Sequence, residues 1–371
     1  MGVGTTGRTA GGRRAAAAWW IWACLAGGCG DEPRRDPAAE GTLFVLATDF
    51  ETGAFSIVDL ETRTAAIHVG LTHSDAVARV RGSRVYVVNR LGQDNVTALD
   101  AAAGFRTLWQ RSTEPGSNPQ DIAFASEEKA YVPRLELPGV LVLDPRDGAP
   151  LGEVDLSALA DPDGVPEASW AVAVAGRVIV GVGRLDRNDA YAPAGPGALA
   201  VIDPATDVVE RSVELEAMNP WGEPVVAGDG GRLLVALAGR FGVLDGGIEA
   251  VDLAAWASRG LVVSEADLGG DVLSFVEGDD GALWILVSDA AAVTALVRWE
   301  PPAGPARVIR RGSGFTLACV ARVAPGLLAV CDRERTAPGL RLFETPSGLE
   351  RTDRPIDVGL PPWQVRLLER D

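Results

Sequence analysis

The sequence predicts an all-β fold: a seven-bladed β-propeller of four-stranded blades, closed by the C-terminal strand pairing into the N-terminal blade. Three observations predict it. One unit recurs seven times, each copy pairs an apolar strand with a strand ending in an acid, and the first copy lacks a strand that the end of the chain supplies.

The acid-terminated strands set the period. They close at Asp59, Asp100, Asp144, Asp203 and Asp252, then in degenerate form at Glu300 and Glu344. The spacings are 41, 44, 59, 49, 48 and 44 residues, and a period of about 40–50 built from short strands is the signature of a propeller blade. Each acid has a local reason to be there. In DPRDG and DPATD the carboxylate can accept backbone N–H groups in a tight turn and proline presets φ. These acids read as turn formers rather than catalysts.

The preceding strand recurs as LFVLA from Leu43, VYVVN from Val85, AYVPR from Ala130, VIVGV from Val178, LLVAL from Leu233, LWILV from Leu283 and LLAVC from Leu327. Near-continuous apolar character suits a strand covered on both faces by neighbouring blades. The first copy starts at this second strand, and the chain ends with an extra first strand over 363–368. Pairing the two ends closes the ring and removes the exposed edges.

VYVVNRLGQDNVTALD (Val85–Asp100) and AYVPRLELPGVLVLDP (Ala130–Pro145) resemble the YVTN-type repeat of bacterial and archaeal surface propellers. The resemblance covers most of the chain from Gly41 onward and is blurred in the last three copies. It implies the fold and a surface location, because that family has no single activity.

Residues 1–28 read as a lipoprotein signal peptide, 29–41 as a tether and 42–371 as one propeller domain. Arg8, Arg13 and Arg14 precede the apolar run AAAAWWIWACLA. As a helix it would span about 18 Å, short of the ~30 Å hydrocarbon core, so a signal segment fits better than a membrane span. Leu25-Ala26-Gly27-Gly28-Cys29 then resembles the bacterial lipobox, with Ala26 where leucine is usual. The resemblance implies lipidation at Cys29 and export to the cell envelope. By the same resemblance Gly30, in place of an aspartate, allows onward sorting to the outer membrane, so the expected location is periplasmic or outer-membrane. Past Gly30 the chain is polar and proline-bearing, as a tether should be.

The formal charge is −17. Loss of the first 28 residues removes three arginines and no acid, giving −20. Such a chain repels phosphate backbones, so no nucleic-acid partner is expected, and the lipid is the expected membrane attachment. A monomer is expected.

Candidate site residues come from aligning the first, inner strands. The residues at their starts are Asp75, Gln120, Trp170, Trp221, Asp271, Phe315 and Trp363, and four of these seven are aromatic in a chain that is 6% aromatic. At the mouth of the central funnel such rings could stack on sugars or cap an apolar ligand; they could equally pack the crossing loops onto neighbouring blades. Arg333, with Asn89, Arg90, Arg134, Glu136, Arg184 and Asp186, would lie near the same rim. Two long connections, 155–169 and 183–197, flank the fourth inner strand on that face, where binding residues concentrate on rigid scaffolds.

Among nucleophile and metal motifs the chain holds little. Only His68 and His73 are available, which nearly excludes histidine-rich metal sites and Ser-His-Asp triads. No cofactor is expected, and Ca²⁺ in the central channel is the one ion left open by the acids. Cys319 and Cys331 flank the turn VAPGL and would pair directly across a hairpin, within disulfide range in an oxidising compartment; two buried thiols are the alternative.

Three functions remain. The first is a non-catalytic binding or scaffold module that presents its long-loop face to a protein or glycan. The second is a hydrolase or lactonase using His73, Asp75, Asp271 and Arg333, with or without a divalent ion. The third is a quinone-cofactor dehydrogenase, which the lack of a repeated tryptophan-docking motif disfavours.

Overall fold

The computed structural model describes residues 41–302 and 304–369, so the leader, Cys29 and all but the last residue of the tether lie outside the described residues. Seven antiparallel sheets form a ring of blades. From the inner to the outer strand, blade 1 runs Pro362–Leu367, Thr42–Thr48, Gly53–Asp59 and Thr64–Thr72. Blade 2 runs Ala76–Arg81, Arg84–Asn89, Asn95–Asp100 and Arg106–Ser112. Blade 3 begins at Ala123–Phe124, blade 4 at Ala168–Val174, blade 5 at Val225–Val226, blade 6 at Asp271–Glu277 and blade 7 at Leu317–Ala324. Blade 7 has three regular strands. Its outer position is taken by the chain from Glu350 to Ile356, bridged to Phe343 and Leu340.

The C-terminal strand closes the ring as expected. Leu43 pairs Leu367 and Val45 pairs Val365, while Thr42–Thr48 pairs Gly53–Asp59 on its other side. The second strand of blade 1 therefore has no free edge.

Seven apolar clusters fill the seven seams between blades. Alternation along one strand serves two seams. Leu43, Val45 and Ala47 pack towards blade 7, whereas Phe44 and Leu46 pack towards blade 2. Both sets are buried, which is why the second strands read as unbroken apolar runs. Each buried Val, Leu or Phe contributes about 1.5–3 kcal/mol.

The turn acids act as expected. Asp59, Asp100, Asp144, Asp203 and Asp252 each accept a backbone N–H two or three residues on, from Thr62, Ala103, Arg146, Ala205 and Ala254. The repeat tyrosines reach one blade further. The Tyr86 hydroxyl donates to the Pro145 carbonyl at 3.0 Å, and the Tyr131 hydroxyl to Asp207, so each is tied to the third-strand turn of the next blade. Cys319 and Cys331 pair in register and form a disulfide, with Cα atoms 5.0 Å apart.

Candidate functional site

Two kinds of connection share one face: the second-to-third strand loops and the crossings between blades. This long-loop face carries the exposed aromatic side chains. The five aromatic side chains that the described residues leave exposed are Phe50, Tyr191, Trp221, Phe241 and Phe315, and all five sit in these connections. Trp221, in the crossing into blade 5, meets Phe241 of the blade 5 loop edge to face, centroids 5.4 Å apart. Val243 and Leu244 of that loop are exposed beside them.

The expected aromatic ring is divided by the structure. Trp221 and Phe315 are exposed, at 43% and 49%. Trp363 is half-buried and touches Phe50 edge-on, centroids 5.6 Å apart. Trp170 is not at the rim: it is 2% exposed and belongs to the seam between blades 4 and 5. A register shift between Ala168 and Trp170 turns the indole aside, and Gly181 makes room for it. A Cβ at Gly181 would lie 2.4 Å from the ring.

Arg333 lies between Phe50 and Trp363, its guanidinium 4.6 and 5.3 Å from their ring centres. It donates to the carbonyls of Thr48, Pro361 and Pro362. Burial lowers its pKa, against the pull of Asp49. The arginine thus clamps blade 7 onto the closing strand. Asp75 pairs with Arg90, which also donates to Gln120 at 3.1 Å, linking blade 2 to the crossing into blade 3. Asp271 accepts from Gly242 N at 2.8 Å, and its other oxygen is buried without a hydrogen-bond partner. His73 lies beside Asp75, its Nδ1 3.1 Å from the Asp75 carbonyl. Among the described residues no hydrogen bond or ion pair joins His73 and Asp75 to Asp271 or Arg333, which lie on blades 6 and 7.

Arg134 is buried rather than at the surface. It donates to the Gly139 carbonyl and to Glu153, with Glu114 3.4 Å away. Glu136 accepts from the Tyr191 hydroxyl, joining the blade 3 loop to the long blade 4 loop. Beneath that loop Glu167 is fully buried. One of its oxygens accepts from Leu185 N at 2.8 Å, while the other is 3.9 Å from Arg187. Burial, with Asp163 and Asp161 nearby, pushes its carboxyl up to about 8.

The channel holds a charged network that the sequence did not announce. Arg79 of blade 2 makes two 2.7 Å bonds to Asp121 and meets Glu223 at 2.6 Å; Arg366 of the closing strand meets Glu223 at 2.6 Å. Asp121 also accepts from Ala171 N of blade 4. Burial pushes the Glu223 carboxyl up, but Arg366 and Arg79 outweigh it and hold it at about 2. The four charges cross-brace the channel. Among the described residues no group of three His, Cys, Asp or Glu side chains is arranged to hold a metal ion.

No protein-family model and no curated protein matches the chain. Solved structures do. A functionally unknown protein from Desulfotomaculum acetoxidans is similar with a TM-score of 0.61 at 11% identity, over 90% of this chain and 100% of that one. Dihydro-heme d1 dehydrogenase in complex with its ligand gives 0.55 at 16% identity, over 91% and 77%. The periplasmic gluconolactonase of Pseudomonas aeruginosa gives 0.62 at 14%, over 89% and 99%. At such identities the likeness is one of fold, and the chain is a seven-bladed β-propeller.

Proposed function

We propose that this chain is a lipid-tethered, non-catalytic binding module of the bacterial cell envelope that offers its long-loop face to a protein or glycan. One observation carries the reading: all five exposed aromatic side chains of the described residues sit on that face. Leaving such rings in water forgoes burial worth about 25 cal/mol per Å², and their confinement to one face is the mark of a surface that is covered in use. The lipobox-like run ending at Cys29 supplies the tether, and the net charge turns the module away from nucleic acid.

A photo-crosslinking residue at Phe241 and, separately, at Leu349 on the opposite face tests the docking surface in the source cells. Adducts at Phe241 and none at Leu349 support it; equal adducts, or none at Phe241, overturn it. Labelling with radioactive palmitate tests the tether. The label should be incorporated by the wild-type chain and lost in Cys29→Ala.

A further inference from the structure

We propose that the groove between blades 1 and 2 binds an uncharged, hydroxyl-rich ligand, a short saccharide. This deepens the reading above and rests on it, because the groove opens onto the long-loop face. Thr72 enters it from the end of the outer strand of blade 1, His73 from the crossing between the two blades, and Gln93 from the blade 2 loop.

The groove has a volume of about 410 Å³, within the range of about 300–1,000 Å³ that ligand sites occupy. Its lining contains no Asp, Glu, Lys or Arg, in a chain that is 23% charged. Val87 and Leu99 form an aliphatic floor, and Leu71 stands at the mouth, 80% exposed. The walls are amides and hydroxyls.

What sets the polar wall of this seam apart is a pair of amides. Asn89 and Asn95 face each other on the second and third strands of blade 2. The corresponding pairs are Val182 and Ala198 in blade 4 and Leu237 and Gly247 in blade 5, and Thr48 and Gly53, Ser288 and Thr294, and Asp332 and Gly339 in blades 1, 6 and 7. In blade 2 the two amides hold a fixed network. Asn89 Nδ2 donates to Asn95 Oδ1 at 2.9 Å and to Thr97 Oγ1 at 3.3 Å, and Asn89 Oδ1 accepts from His73 N. Gln110 Nε2 also donates to Asn95 Oδ1, at 2.9 Å. That bond orients the Gln110 amide and leaves its Oε1, among the described residues, without a protein partner. The Gln93 amide, the Thr107 hydroxyl and His73 Nε2 are in the same condition.

The chemistry of the lining selects its occupant. An ion would lose its hydration without meeting an opposite charge. A purely apolar ligand would strip water from amides and hydroxyls and return no hydrogen bond, at about 1–3 kcal/mol per group. A saccharide offers hydroxyls that both donate and accept, and C–H faces for Leu71 and the floor.

Isothermal titration of the full chain, held in a sugar-free detergent, with maltose, cellobiose and chitobiose tests this, with galacturonate and glucosamine as charged controls. At least one neutral disaccharide should bind, and more tightly than either control. Gln110→Leu and Thr97→Val should each weaken it about tenfold, as expected for a lost hydrogen bond and a stranded partner, with the β-sheet circular-dichroism spectrum retained. Leu349→Ala, on the opposite face, should leave saccharide binding intact. Absence of binding by every neutral saccharide, or binding indifferent to Gln110 and Thr97, overturns the groove. If that happens while Phe241 still crosslinks a partner, the long-loop reading stands without it; loss of both removes both.

Discussion

Arg79 and Glu223 meet at 2.6 Å across the central channel, although they belong to blade 2 and to the approach to blade 5. The contact ties opposite sides of the ring. Its members differ in worth because they differ in exposure: the Asp121 side chain is 2% exposed and that of Glu223 48%. Asp121→Ala removes one of the two carboxylates on Arg79 and strands Ile122 N and Ala171 N, and should cost about 3 kcal/mol. Glu223→Gln keeps a side-chain oxygen to accept from Arg79 and Arg366, and should cost less, about 1 kcal/mol. Urea denaturation of the two variants checks the order.

Two tryptophans predicted to share the rim should behave oppositely. Trp170→Ala empties a seam and should destabilise by about 3–5 kcal/mol. Trp221→Ala, at an exposed ring, should stay within about 1 kcal/mol of wild type. Thermal melting of both variants separates a core residue from a surface one.

The raised carboxyl of Glu167 makes a signed prediction. A folded pKa near 8 lies above the ordinary value of 4.5, so the folded chain holds a proton that the unfolded chain releases first. Stability therefore falls as pH rises from 4.5 and stops falling above about 8. Glu167→Gln keeps an acceptor for Leu185 N and removes the titration. Its melting temperature should exceed that of wild type by more at pH 8 than at pH 5. Equal differences at the two pH values would count against the assignment. Glu265, raised by burial to about 7, adds a smaller slope of the same sign.

Reduction of the Cys319–Cys331 disulfide should destabilise blade 7. Closing a loop of 12 residues restricts the unfolded chain by about 3 kcal/mol. A Cys319→Ala/Cys331→Ala variant should show that loss in denaturant, and dithiothreitol should shift wild type but not the variant.

Much of this fold was legible because its signals are local. The turn acids lie within three residues of the N–H groups they hold, and the cysteines face each other across one hairpin, so counting along the chain finds both. Ring closure was legible because one strand was missing at Leu43 and one was left over after Trp363. The channel network was not. Arg79 reads as one more arginine on an alternating strand, and its partners lie 42 and 144 residues away. Trp170 was misplaced because a one-residue register shift rotates a side chain out of its aligned position, and the reason for the rotation is an absent side chain at Gly181. The blade 2 groove was half visible: Asn89 breaks the run VYVVN, but that it faces Asn95 and Gln110 depends on the strand register.

The pairing of Thr42–Thr48 with Pro362–Leu367 imposes an order of assembly. During synthesis six blades can complete themselves from neighbouring sequence, each as soon as its own strands emerge. Blade 1 cannot. Its second strand is among the first to appear and must wait for some 300 further residues before its inner partner exists. For that interval the growing chain is an open arc in which the inner edge of Thr42–Thr48 is unpaired, and any factor that escorts it has that edge to guard. Arg333, seated between Phe50 and Trp363, can lock the ring only after the last strand has docked.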